Sequence, residues 1–326
     1  AYSYSNGLCG MLLALEHLQK KEFIEIEMSE AIDVYDNLFK QILDQELQNP
    51  NYDFLHGAIG LGFYFLHRNN ALSISCIENI INHLWADVII NGEQYAWKTI
   101  LNLSGIKAFN ICLSHGMSSI AIFLARVYEK NILEEHTLKL LNGCIRFILA
   151  QEIDHKKYGS FFPSITIEYE QPDILKSRMG WCYGDLGIAL SLWQCGKILH
   201  DDGLKMKSLE ILRFSTQRKQ LEENSVWDAC LCHGTSGIAQ IFLRMYYETG
   251  ISSFLDANKF WINETLRMAT YTNNGTGFKA LEMKQSKLDY FDNYSFLEGI
   301  SGIGLSLMAS NSDIHFSDWD AFLLIK

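Results

Sequence analysis

The chain has 326 residues, 48% of them hydrophobic and 20% charged, with three prolines and 23 glycines, which excludes disorder, a collagen repeat and a coiled-coil rod. Its 27 Lys and Arg against 38 Asp and Glu give a formal charge of −11, which repels phosphate backbones and anionic membrane surfaces, so no nucleic acid partner is expected. No apolar run reaches the roughly 18 residues of a transmembrane segment, and the opening AYSYSNGLCG lacks the basic and apolar parts of a signal peptide: a soluble, cytoplasmic protein is expected, and the missing initiator Met leaves open a processed chain or a fragment.

Six copies of one phrase follow along the chain, each a short polar approach to a glycine and then an apolar helical run. They are YSNGLCGMLLALEHL from Tyr4, YDFLHGAIGLGFYFL from Tyr52, LSHGMSSIAIFLARV from Leu113, WCYGDLGIALSLW from Trp181, LCHGTSGIAQIFLRM from Leu231 and FLEGISGIGLSLMA from Phe296. Their first glycines, Gly7, Gly57, Gly116, Gly184, Gly234 and Gly299, are spaced by 50, 59, 68, 50 and 65 residues, periods that suit a pair of helices per repeat. The helix after each glycine is apolar nearly all round and predicts burial on every side. Between the copies lie amphipathic stretches such as SEAIDVYDNLFKQILDQEL from Ser29 and EEHTLKLLNGCIRFILAQEI from Glu134, with apolar residues at i, i+3, i+4 and i+7. The first set predicts an inner ring and the second an outer one, and glycine at each inner entrance lets the turns approach closely. The expected architecture is all-α, a closed α/α toroid of helix-pair repeats without an internal domain boundary.

Three longer connections, residues 91–110, 155–178 and 271–295, are richer in polar, aromatic and β-branched residues. ITIEYE from Ile165 predicts a short strand. Structureless connections of that length tend to be functional, which places them at a substrate mouth. GxG occurs in AIGLGF and SGIGLS, but neither follows a strand in a βαβ unit, so the dinucleotide reading is weak.

Eight cysteines are spread through a chain large enough to need no covalent staples. In a reducing compartment their expected uses are burial, metal binding or catalysis. Two of the six turns carry thiols, WCYG with Cys182 and CHG with Cys232 and His233. If the repeats are ring-related, these residues occupy equivalent turns of successive inner helices and can meet. Two thiolates and an imidazole suit zinc, and three protein ligands leave the fourth tetrahedral position open, which is the catalytic pattern. The competing reading is two unrelated buried cysteines and a satisfied histidine. Counting alone favours it, and the equivalence of the motifs reverses that.

WCYG followed by CHG about 50 residues later, in a glycine-turn helical chain, resembles the LanC-type lanthipeptide cyclases, the lanthionine synthetase C-like family. The resemblance covers nearly the whole chain, residues 1–326, as a single domain. It implies a double-layered α-barrel with seven helices per ring and a Zn2+ ion at one end. The implied reaction is addition of peptide cysteine thiols to dehydroalanine or dehydrobutyrine, forming lanthionine or methyllanthionine rings. The implied zinc ligands are Cys182, Cys232 and His233. The implied catalytic set is His115 of LSHG, Arg178 of RMGWCYG, Asp53 of the Y-D-x-x-x-G turn and Tyr183. Six motif copies against seven helix pairs put barrel closure in question and suggest that an N-terminal pair is missing or lacks its glycines. His115 is followed by GMSS where the family has G-x-x-G, and the short segment 66–110 leaves little room for an inserted accessory domain.

The chemistry asks for such residues on its own terms. A thiol is mostly protonated at neutral pH, and zinc coordination makes it a thiolate. Attack on a dehydro residue creates an enolate that needs positive charge and then a proton at the α-carbon. Arg178 can supply the first, although a solvated surface cation is the plain alternative. His115 can supply the second, with His56 of the adjacent H-G turn its rival. Asp53 either orients His115 or only caps a helix. Tyr183 either bonds the substrate carbonyl or packs beside the metal turn, and Trp181 reads as packing.

Three functions follow. The first is a cytosolic zinc cyclase acting on a dehydrated precursor peptide beside a dehydratase and an exporter, in a complex peripheral to a membrane. The second is a related enzyme adding glutathione to dehydroamino acids, and the third is a zinc-stabilised scaffold without catalysis.

Overall fold

The computed structural model describes residues 1–25, 29–98, 108–167, 176–272, 275–284, 287–311 and 318–326. The chain divides into two compact units. One comprises Ala1–Glu152 with Ile165–Asp173 and Lys197–Asp201; the other comprises Ile153–Ser164, Ile174–Gly196 and Asp202–Lys326.

In the first unit the glycine turns open helices α1 (Leu8–Lys20), α3 (Ala58–Arg68) and α5 (Met117–Glu129), and α2 (Ser29–Gln48), α4 (Ala71–Asp87) and α6 (Glu134–Ala150) lie between and after them in sequence. α2 and α6 begin at the residues from which their periodicity was read. α3 is buried from Ala58 through Leu66, and α5 from Met117 through Ala125, as apolar composition on all sides demands. α6 instead buries Leu140, Leu141, Cys144, Ile145 and Ile148, a single stripe. Asp36 of α2 ties three helices together, accepting from Tyr64 Oη at 2.6 Å, Arg68 Nε at 3.1 Å and Asn70 Nδ2 at 3.0 Å. The side chain of Asn70 caps α4 through the Ser73 N–H.

The second unit repeats the scheme with α7 (His155–Tyr158), α8 (Asp185–Ile198, its last two residues excepted), α9 (Asp202–Ser215), α10 (Thr235–Thr249), α11 (Ser252–Arg267) and α12 (Ile300–Asn311), of which α8, α10 and α12 follow glycine turns. α8 and α10 are buried along most of their length, whereas α1 and α12 bury one stripe each.

The long connections hold more strand than their sequence announces. Antiparallel pairs form between β1 (Ile89–Asn91) and β2 (Gln94–Ala96), β3 (Ala108–Phe109) and β4 (Thr166–Ile167), and β5 (Ala280–Lys284) and β6 (Lys287–Phe291). β4 is the start of the predicted ITIEYE strand, whose remaining residues lie outside the described ones.

One local device builds five of the six helix entrances. The N–H of the residue after the glycine bonds the carbonyl seven residues before it: Leu8 to Ala1, Ala58 to Asn51, Met117 to Asn110, Thr235 to Asp228 and Ile300 to Asn293, at 2.8–3.2 Å. The carbonyl turned back in this way leaves no room for a side chain, and a Cβ on Gly116 would lie 1.8 Å from the Asn110 oxygen. Inside the turn, the residue four before the glycine accepts the N–H of the residue one before it, through Ser3, Asp53, Cys112, Cys230 and Ser295. Such side-chain acceptors stabilise turns and helix starts in the manner of Asx and Ser/Thr turns.

Candidate metal centre and its neighbours

In the second unit the fourth and fifth turns lie against each other. The N–H groups of Trp181 and Cys182 both donate to the Cys232 carbonyl, at 3.0 and 3.1 Å, and the Cys232 N–H passes on to the Leu297 carbonyl of the sixth turn at 3.0 Å. Cys182 and Cys232 both stand two residues before their glycine, so this ladder joins like to like. The ligand atoms of Cys182, Cys232 and His233 all lie within 4.8 Å of one another, a group that could hold a metal ion. The two cysteines are 5% and 8% exposed, so a thiolate there is shielded from water yet reachable.

The fourth turn needs its glycine for a further reason. Gly184 has φ +99°, and a Cβ there would stand 2.2 Å from the Arg178 carbonyl, so an L side chain would be strained and blocked. Behind the turn, Asp185 is fully buried and accepts from the N–H groups of Phe161 and Phe162 and from Arg218 Nη1, each at 3.0 Å. Trp181 donates its indole N–H to the Leu323 carbonyl at 2.6 Å, in the 3₁₀ segment Asp318–Leu323. That segment is locked by Asp320 on Arg244, at 2.9 and 2.7 Å, so Trp181 is a packing anchor.

Electrostatics follow from this crowding. The Cys232 thiol donates to Cys182, which, with His233 and Arg178 nearby, holds Cys182 well below the usual thiol range against the cost of burial. Cys232 is correspondingly pushed up by that bond and by burial. Burial alone would lower His233, but its bonds to Asp228 and Cys182 outweigh it and keep the imidazole protonated. Cys230, equally buried, is pushed up to about 11. A second group able to hold a metal, Asp228, Cys230 and His233, shares the histidine. Its Cys230 sulfur accepts the His233 N–H at 3.5 Å, the same turn bond made by Asp53, Cys112 and the serines.

Arg178 is half-buried. Its Nη2 donates to the Ser225 carbonyl at 2.7 Å, while its buried Nε has no hydrogen-bond partner among the described residues. Tyr183 takes, in the fourth turn, the position just before the glycine that histidines take in three others.

In the first unit Asp53 has two tasks. Its Oδ1 accepts the His56 N–H at 2.7 Å, which is the capping role, and its Oδ2 lies 2.6 Å from Nδ1 of His115. The His56 ring stacks near His115, with centroids 6.0 Å apart, and its own Nδ1 faces Ser5 Oγ at 3.3 Å. The side-chain carboxylate partner thus goes to His115. Three participants were not legible in the sequence. Asp228 stands six residues before Gly234, where aligning the copies on their glycines would have flagged it, and the buried pair Asp185–Arg218 has no short-range signal.

The family described as lanthionine synthetase C-like protein matches residues 1–324. Nisin biosynthesis protein NisC of Lactococcus lactis subsp. lactis is 25% identical over 346 residues, which cover 99% of this chain and 77% of that protein. A solved structure titled nisin cyclase matches all of this chain and 80% of its own, with a TM-score of 0.79 at 21% identity. The fold is therefore that of nisin cyclase, the α/α toroid expected from the repeats. No described helix is long and apolar enough to cross a membrane. By its family match and its repeats alike, the chain belongs to the lanthionine synthetase C-like family.

Proposed function

We propose that this chain is a zinc-dependent lanthipeptide cyclase that joins peptide cysteine thiols to dehydroalanine or dehydrobutyrine of a dehydrated precursor. The observation that carries the reading is the convergence of Cys182, Cys232 and His233 in a chain similar along its length to a nisin biosynthesis protein. The donor set fits zinc: two sulfurs and an imidazole are borderline-soft. Tetrahedral donors at about 2.0–2.3 Å from a metal stand within about 4 Å of each other, close to the spacing here. When bound, zinc supplies the Lewis acidity that keeps a substrate thiol deprotonated at neutral pH.

The protein's own groups account for the rest. The thiolate sulfur forms a C–S bond at the β-carbon, the electron pair of the double bond moves toward the carbonyl oxygen, and the α-carbon then takes a proton, so the net change is an isomerisation. Half-buried Arg178, whose charge acts on Cys182, is assigned the developing oxyanion. Asp53 holds His115 by Nδ1, which assigns proton transfer to Nε2. Tyr183 is assigned the substrate carbonyl. A dehydratase that makes the dehydro residues and an exporter for the product, working in the cytoplasm, complete the proposal.

Cyclisation leaves peptide mass unchanged and consumes thiols, so alkylation followed by mass spectrometry reads it. A dehydrated lanthipeptide precursor incubated with the zinc-loaded protein should lose alkylatable cysteines faster than with Cys232→Ala, and with a defined ring pattern. Equal rates and patterns would refute the reading, and a gain of one glutathione per dehydro residue would replace it by the glutathione-adding one.

A further inference from the structure

Counted back from their glycines, four of the six helix-entry turns share a residue that closes them. Six positions before the glycine stand Asn51, Asn110, Asp228 and Asn293, and each uses Oδ1 to accept the N–H two residues on, at 3.3, 3.0, 3.2 and 2.9 Å. A neutral asparagine makes this bond in three of the four. The turn itself therefore does not require a negative charge, and the fifth copy alone carries one.

The second oxygen of that carboxylate is what sets the fifth turn apart. Asp228 Oδ2 accepts the Leu281 N–H of β5 at 3.2 Å and lies 3.4 Å from Nε2 of His233. The side chain is 2% exposed, and a buried carboxylate is costly unless it is fully engaged. The other turn histidines are held differently. His115 finds its carboxylate in Asp53 of the preceding turn, and His56 faces a serine. Only His233 is held by the closing residue of its own turn, through an anchor fixed at both oxygens by backbone N–H groups.

We propose that Asp228 is the positioning residue of the metal centre: it holds His233 by Nε2 and so presents Nδ1 toward the sulfurs of Cys182 and Cys232. This rests on the zinc reading above. A carboxylate on the far nitrogen of a metal-binding imidazole fixes its tautomer and ring orientation and raises its basicity, and loss of such a partner typically lowers metal affinity about 10- to 100-fold. Cys230, despite lying beside Asp228 and His233, has the turn-bond role of Cys112 and is no ligand.

Asp228→Asn removes the charge and keeps the turn-closing acceptor that asparagine supplies in three other copies, while its amide NH2 cannot accept the Leu281 N–H as Oδ2 does. Zinc affinity is measured by chelator competition, and the cobalt(II)-loaded proteins are compared by visible spectroscopy. The expected result is a 10- to 100-fold loss of zinc affinity, accompanied by a lower melting temperature of the metal-free protein because the Leu281 N–H loses its acceptor. Cobalt d–d bands should shift while thiolate charge-transfer bands persist. Asn293→Asp, which adds a charge to a turn without histidine, should change neither. Affinity of Asp228→Asn within twofold of the unaltered protein would overturn the proposal.

The unaltered protein gives a second test that no folding defect can spoil. Loaded with 113Cd and labelled with 15N-histidine, it should show the one-bond metal coupling at Nδ1 of His233, and coupling at Nε2 would overturn the proposal. Failure of the unaltered protein to take up any metal would overturn both this inference and the zinc reading, an outcome distinct from equal affinity in the two proteins.

Discussion

The backbone N–H of Cys182 donates to the carbonyl of Cys232 at 3.1 Å, 50 residues along the chain. Because both cysteines hold the same place in their turns, this bond brings the two thiols together without any help from their side chains. The pairing is thus a property of the backbone, and side-chain truncation should remove ligands without dismantling the turn.

Cys182→Ala and Cys232→Ala are therefore expected to fold and to lose about one zinc per chain, as read by metal analysis. His115→Ala and Arg178→Ala should keep zinc and lose turnover, by about 10²- to 10⁴-fold for a displaced proton donor. Full zinc in both cysteine variants would move the site elsewhere, and zinc loss in His115→Ala would make that residue a ligand.

Metal uptake should also be visible as protons. In the metal-free centre Cys182 is held well below the usual thiol range, whereas Cys232 is pushed up by its bond to Cys182 and by burial, and His233 by its bonds to Asp228 and Cys182. Zinc competes with the protons on these groups, so binding near neutral pH should release protons. The sign follows: protons are products of binding, hence affinity weakens as pH falls. Calorimetry in buffers of different ionisation enthalpy counts them, and no net release would contradict the assignment.

Cys230→Ser tests the division between ligand and turn residue. Serine accepts the equivalent bond at Ser295 and Ser3, at 3.3 and 3.4 Å, so zinc content should be unchanged. Replacing a fully buried thiol by a hydroxyl should cost stability by about 1–3 kcal/mol, measured by denaturant unfolding. Loss of zinc at retained fold would instead place the metal on Asp228, Cys230 and His233.

Asp53→Asn separates capping from catalysis. Asparagine retains an acceptor for the His56 N–H, yet it removes the charge that lies 2.6 Å from His115 Nδ1. Melting temperature should hold while turnover on a dehydrated precursor falls. A normal rate would leave Asp53 a cap alone.

Much of this protein is written locally. The starts of α2 and α6 and the buried character of α3, α5, α8 and α10 were legible, because helical periodicity and all-round apolarity are properties of short windows. The pairing of β3 with β4 was not, since Ala108–Phe109 meets Thr166–Ile167 across a distance in sequence that no window spans. The same holds for Arg218 on Asp185, 33 residues away, whereas Asp53 as the partner of His115, 62 residues away, was offered by the family resemblance alone.

The sequence by itself determined four of the six helix-entry turns. A glycine with an Asx residue six before it and an acceptor four before it is satisfied by hydrogen bonds within eight consecutive residues, so composition at those positions is enough. Tertiary structure alone decided what those turns do. Asn110 and Asp228 close their turns with the same bond, and only packing determines that the spare oxygen of Asp228 meets Leu281 and His233. Local bonds reward a residue type, whereas the partner of a second oxygen depends on which element the folded chain lays beside it.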